Sequence, residues 1–240
     1  MKKLISLIAI IFASLTIYAQ DSYIDFYGLK IEKTKFLGIP IDGSKQAVQS
    51  ALIAKGYRLS DDGNYLTGRF NGEDVMVLIH TENGKVDRIS VIDRHNRSET
   101  DIKIRFNRLC SQFKDNGKYI SFDDFTISED EDISYEMNVH NKRYEAAFYQ
   151  VGRNILSDLT EEQIETIGIK YYERNPISDE DREKLTDEEL KTKFATGFTI
   201  ELFDAVSNNN VWFMINESHG EYYIAMYYDN ESNRANGEDL

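Results

Sequence analysis

Two Asn-Gly pairs, Asn71-Gly72 and Asn83-Gly84, stand between short apolar runs and leave this stretch of chain little choice of topology. A two-residue hairpin turn that matches the twist of its strands needs positive φ at both central residues, and Asn followed by Gly tolerates this best. The flanking runs, Tyr65 to Phe70, Val75 to His80 and Val86 to Ile92, therefore read as three antiparallel strands. Ahead of them Ser44 can cap a helix that carries Val48, Ala51 and Leu52 on one face and stops at Gly56. The outcome is a helix followed by a meander.

The same order returns downstream. Ser98 with Asp101 resembles a capping box, and Ile102, Phe106, Leu109 and Phe113 keep one helical face apolar until Asn116-Gly117. Ile133, Tyr135, Met137 and Val139 alternate with polar residues, which predicts a half-buried strand. Asn141-Lys142 turns the chain into Arg143 to Gln150, and Val211 to Ile215 and Glu221 to Tyr228 are joined around His219-Gly220. Residues 159–196 read as a helical insertion, with capping boxes at Thr160/Gln163 and Thr186/Glu189 and a break at Pro176. Its strands should pair without it, and it should pack through Ile164, Ile167 and Leu190. The seven acidic residues of Asp179 to Glu189 should stay in water, as a solvated face or a dock for a basic partner. The expected class is α+β, with a first helix-plus-sheet unit over 20–95 and a second over 96–240.

Lys2 and Lys3 precede an apolar run from Leu4 to Tyr18 that has the length and flanks of a signal-peptide core. Its 15 residues fall short of the roughly 20 that span a bilayer. Cleavage is expected between Ala19 and Gln20, so residues 1–19 are a leader and the chain is periplasmic or secreted, with no transmembrane segment and no lipidation cysteine. Loss of two lysines with the leader takes the formal net charge from −14 to −16. That charge repels phosphate backbones, so nucleic acid is excluded as a partner. The single cysteine, Cys110, shares a helical face with Phe106, Leu109 and Phe113 and is expected in the core.

Several constellations fail as chemistry. His80, His95, His140 and His219 lack zinc-motif spacing. Asp229-Asn230-Glu231-Ser232-Asn233 alternates oxygen ligands as a calcium loop does, but Arg234 and Leu240 stand where Gly and Glu are required. The carboxylates of Ser128 to Asp132 are adjacent on a loop rather than facing each other across a bond. P-loop, dinucleotide and G-x-S-x-G patterns are absent, so no cofactor, metal or catalytic residue is expected.

The runs Phe36-Leu37-Gly38-Ile39-Pro40-Ile41-Asp42-Gly43, Lys55-Gly56-Tyr57 and Tyr227-Tyr228-Asp229-Asn230 resemble those of an uncharacterised family of exported bacterial proteins. The tandem helix-plus-meander plan is similar to the β-lactamase inhibitor protein fold, and more remotely to the small lipoprotein of the outer-membrane β-barrel assembly machine. The resemblance spans 36–150 and 211–240, departs at the 159–196 insertion, and carries over no functional residue.

The positive signal is aromatic: 15 Tyr, 13 Phe and one Trp. In the last strand Tyr222, Ile224, Met226 and Tyr228 share one face and Tyr223, Ala225 and Tyr227 the other. If helices cover one side only, Tyr223, Tyr227 and Trp212 form an amphipathic platform on the open side; cross-strand aromatic packing explains the same residues without function. The leading expectation is a non-catalytic module that contacts an envelope or extracellular protein through the open faces of two sheets. The alternatives are a glycan- or small-ligand-binding protein using the tyrosine face, and a hydrolase of an envelope or dietary polymer.

Overall fold

The computed structural model describes residues 22–24, 30–151 and 160–234, so the expected leader and its cleavage point lie outside the described residues. After two small antiparallel pairs, β1 (Ser22–Ile24) with β2 (Lys30–Glu32) and β3 (Lys35–Phe36) with β4 (Ile39–Pro40), comes helix α1 (Lys45–Ala54). Ser44 caps it by accepting from Ala47 N. Strands β5 (Arg58–Leu59), β6 (Leu66–Phe70), β7 (Glu73–Glu82) and β8 (Lys85–Asp93) follow. Both Asn-Gly turns hold positive φ at each residue, 52° and 84° at Asn71-Gly72 and 50° and 77° at Asn83-Gly84. The hairpins form where the turn chemistry permits them.

Helix α2 (Glu99–Asp115) is capped by the Ser98 side chain, which accepts from Asp101 N. After β9 (Tyr119–Ile120), residues Ile133–Val139 form a short helix, α3, where the alternation predicted a strand. The reason is capping: Asp132 accepts from Tyr135 N, and Glu99 reaches over from α2 to accept from Ile133 N at 2.9 Å. Ile133 is buried and Met137, one turn on, packs against the core, while Tyr135 and Val139 face water. The i, i+4 pair decides the conformation over the period-two pattern.

Strand β10 (Glu145–Gln150) leads into the insertion, which holds α4 (Glu161–Arg174), α5 (Asp179–Lys184) and α6 (Asp187–Ser207). The chain then returns through β11 (Asn210–Ser218) and β12 (Glu221–Asp229). The excursion runs to Ser207, beyond the expected end at 196, because α6 continues to bring Phe203 against Phe122 and Tyr149 (centroids 4.7 and 4.9 Å). The strands on either side pair without it: Ala147 lies opposite Trp212, and Gln150 N donates to Asn209 O. Its packed stripe also differs from expectation. Ile167 and Tyr171 are buried and Phe194 packs edge-on to Tyr171, whereas Ile164 is 48% exposed. The described acidic side chains around α5 are exposed.

The two units do not build separate sheets. Strand β12 pairs with β8, Tyr227 opposite Ser90, giving one eight-stranded antiparallel sheet in the order β5-β6-β7-β8-β12-β11-β10-β9. One side is covered, with α1 over β7 and β8 and α2 over β11 and β12. Beneath α2 the rings of Phe106, Phe113, Phe148 and Phe213 form a continuous aromatic core. Also on that side, Arg105 of α2 meets Asp93 of β8 in a two-pronged ion pair, both bonds 3.1 Å.

Cys110 is 3% exposed in this core, and burial pushes its thiol up to about 12. A thiol with that value has almost no nucleophilic thiolate near neutral pH. Labelling by an aromatic disulfide reagent should therefore proceed only at the rate of unfolding; rapid labelling of the native protein would place Cys110 outside the core.

Candidate binding surface

The uncovered side of the sheet is where the aromatic residues singled out from the sequence stand. Strand alternation sends Tyr222, Ile224, Met226 and Tyr228 under the helices, all at most 3% exposed, and leaves Tyr223 and Tyr227 half-buried on the open face. Trp212 of β11 lies directly opposite Tyr227, and the rings stack with centroids 4.2 Å apart and planes 25° from parallel. Tyr223 shares the face but stands apart from that stack, opposite Asn216. Trp212 and Tyr227 are thus brought together, and Tyr223 flanks them two rows away.

Sequence reading missed what holds this stack. Arg88 of β8 places its guanidinium over both rings, 5.6 Å from Trp212 and 5.0 Å from Tyr227. Its Nε and Nη2 donate to Asp229 at 2.5 and 2.9 Å, the Trp212 indole N–H donates to Asp229 at 2.8 Å, and Arg234 closes on it at 3.3 Å. The Asp229 side chain is 1% exposed, so a carboxylate at the end of β12 anchors two cations and an indole. The bonds to Asp229, ahead of the opposing effect of burial, push the Arg88 guanidinium pKa up. Burial raises the Tyr227 phenol and lowers the nearby His80 imidazole, which bonds Ser90.

Around this centre the open face continues with Met76 and Leu78 of β7, Ile92 of β8, Ala225 of β12 and Met214 of β11, all in neighbouring register. At the β10 edge Phe203 of α6 leans on Tyr149, so the insertion walls one side of the face. A sequence signal for Arg88 existed. Arg88 shares alternate positions with Ser90 and Ile92 in the run Val86 to Ile92, opposite the apolar set Ile89 and Val91, which places its charge on the open face.

The segment that looked like a calcium loop is tied into the fold. Beyond Asp229, Asn230 Nδ2 donates to Ile41 O, and Asn233 Nδ2 donates to Asp42 and to Val86 O. The loop carboxylates before α3 are likewise engaged: Asp132 caps that helix, and Glu131 accepts from Tyr144 and Lys142. Among the described residues no three His, Cys, Asp or Glu side chains stand close enough together to hold a metal ion. None of the helices described is long and apolar enough to cross a membrane. Comparison with protein-family models, curated proteins and solved structures finds no match.

Proposed function

We propose that this chain is an exported, non-catalytic interaction module, periplasmic or secreted, that holds another protein against the open face of its sheet. The observation that carries the reading is the composition of that face. Arg88, Trp212, Tyr223, Tyr227, Met76 and Met214 are the residue types enriched at the centres of protein interfaces, gathered on one rigid surface. The chain's formal net charge of −14 favours a partner with a basic surround to its contact patch. A leader at residues 1–19 fits this setting. Repetition of a helix followed by strands on one sheet supports a tandem plan similar to the β-lactamase inhibitor fold.

Weighing against a sugar platform, Trp212 has its ring stacked on Tyr227, its N–H bonded to Asp229 and a guanidinium over it, which leaves little free π surface. Weighing against hydrolysis, the buried carboxylates Asp93 and Asp229 are each neutralised by arginines that serve the fold, and the third, Asp87, has Arg234 at 3.8 Å.

The test uses the purified chain as bait in envelope extract, in three forms: wild type, Tyr223→Glu on the open face, and Glu188→Lys on the insertion. The expected result is a protein retained by wild type and by Glu188→Lys but lost with Tyr223→Glu, all three melting alike. Tyr223 flanks the Trp212–Tyr227 stack, and loss of a hot-spot tyrosine weakens binding by about 2 kcal/mol or more, close to thirtyfold. Equal retention by the Tyr223→Glu bait, or loss only with Glu188→Lys, would sink the reading.

A further inference from the structure

On the covered side of the sheet, the turn between β3 and β4, the turn between β6 and β7 and the C-terminal end of α2 converge on a groove of about 940 Å³. Its floor is aromatic. Phe36 packs against Phe70 and Tyr228 with centroids 5.1 and 4.9 Å away, and Tyr119 of β9 lines the groove beside them. The groove is a feature distinct from the open face, which lies on the other side of the sheet.

The hydrogen bonds at this floor do not balance. Gln150 Nε2 donates to the Tyr119 hydroxyl at 3.1 Å, and the hydroxyls of Tyr119 and Tyr228 bond each other. Each hydroxyl has one proton to donate and can accept twice. Two hydroxyls joined by one bond therefore keep one proton over, and no acceptor among the described residues takes it. Tyr228 is enclosed at 3% exposure while Tyr119 is half-buried and lines the groove, so the spare proton belongs to Tyr119 and faces the groove. A phenol proton that faces the groove is available to a ligand that brings an acceptor.

The charge of the rim points the same way. In a chain with a formal net charge of −14, the lining gathers Lys35, Arg69 and Lys118 against the carboxylate Glu32, with Asp74 3.8 Å from Arg69 just outside it. Two of the cations flank Gln150: the Lys35 backbone exchanges hydrogen bonds with the Gln150 side chain at 2.6 and 3.3 Å, and Lys118 O accepts from Val151 N. Lys35 shares its charge with Glu32 at 3.1 Å, and Lys118 extends into solvent. At physiological salt the acidic remainder of the surface is screened beyond about 8 Å, so these local cations set the potential that a bound group feels.

A third observation concerns shape. Leu37, on the rim, holds left-handed backbone with φ of 53° beside Gly38 at 78°. A turn alone would be better served by Asn at that position, and an apolar residue held in unfavourable backbone marks a side chain wanted where it is.

We infer that this groove binds a small organic carboxylate with an apolar body. The carboxylate accepts the Tyr119 proton and takes its countercharge from Lys118, while the body lies between Leu37 and Phe70.

The experiment is titration calorimetry of the full chain with 4-phenylbutyrate, its neutral amide 4-phenylbutyramide, and inorganic phosphate. Saturable binding of 4-phenylbutyrate is expected, with the amide weaker by about tenfold or more, since hydrogen bonds to a charged acceptor are the stronger kind. Lys118→Met should weaken the acid by a similar factor, and Lys193→Met, on the distant α6, should leave it unchanged. Tyr119→Phe should also weaken it; because that change touches Tyr228, its thermal midpoint is measured alongside, and Lys118→Met carries the test if the midpoint falls. Equal binding of acid and amide, an unaffected Lys118→Met variant, or no saturable binding at millimolar concentration would each overturn the inference. Competition by inorganic phosphate at equal concentration would overturn the apolar body. None of these outcomes bears on Tyr223, whose variant reads the other side of the sheet.

Discussion

Asp93→Ala should lower the unfolding free energy by about 3–5 kcal/mol, the range found when one member of a buried ion pair is removed. Asp93 and Arg105 expose only 4% and 5% of their side chains, so the arginine left behind has neither water nor a partner. Arg97 also bonds Asp93, at 3.2 Å, but it keeps Glu73 at 2.5 Å and is partly hydrated, so it adds less to the loss. The sharper form of the prediction is a cycle. Asp93→Leu combined with Arg105→Met removes both charges and should recover much of what Asp93→Ala loses, because the cost lies in the stranded charge rather than the missing attraction. Urea denaturation followed by far-ultraviolet circular dichroism measures both variants. A loss below about 1 kcal/mol for Asp93→Ala would mean that water reaches Arg105 after all.

Phe213→Ala is expected to cost a similar amount, about 3–5 kcal/mol, by leaving a cavity at the crossing of three other rings. Phe213 is fully buried, with Phe106 at 5.1 Å, Phe113 at 5.7 Å and Phe148 at 6.0 Å, and only Met226, opposite it on β12, has the flexibility to fill part of the gap. Its neighbour in sequence offers the contrast. Trp212 points to the opposite face and is half-buried, so Trp212→Ala should cost less than half as much while damaging the open face more. The same denaturation curves decide this, read by circular dichroism because Trp212 is the chain's only tryptophan. Comparable losses for the two variants would show that the open face is as deeply packed as the covered one.

Much of this architecture was legible from the sequence, and the legible part is local. Asn71-Gly72, Asn83-Gly84, Ser44, Ser98 and Thr160 act through their own backbone or residues three away, so a short window contains both cause and effect. Strand alternation likewise placed Tyr223 and Tyr227 opposite Tyr222 and Tyr228 without knowledge of the rest of the chain. The pairings that escaped are distant. Arg88 and Asp229 are 141 residues apart, and nothing near either one shows that β8 and β12 are neighbours. Ile133–Val139 misled for the same reason, since the Glu99 carboxylate that secures the helix start belongs to another element. The groove was beyond reach as well: Tyr119, Gln150, Lys35 and Lys118 come from three separate stretches, and their significance lies in a hydrogen-bond count that only coordinates supply.

The borders of the sheet carry one more consequence. Its outermost strands, Arg58–Leu59 and Tyr119–Ile120, are two residues each, flanking interior strands of up to ten. A foreign segment aligned along either border would find few main-chain groups on those short strands, and at the β9 side only the stretch Glu145–Phe148 of β10 lies outside their pairing, so strand addition has little edge to use. Backbone pairing is indifferent to side-chain identity, whereas a surface of stacked rings and a guanidinium is not. If the open face binds a partner as proposed, recognition would rest on its side chains, and selectivity among competitors would be a property that single substitutions retune without disturbing the frame.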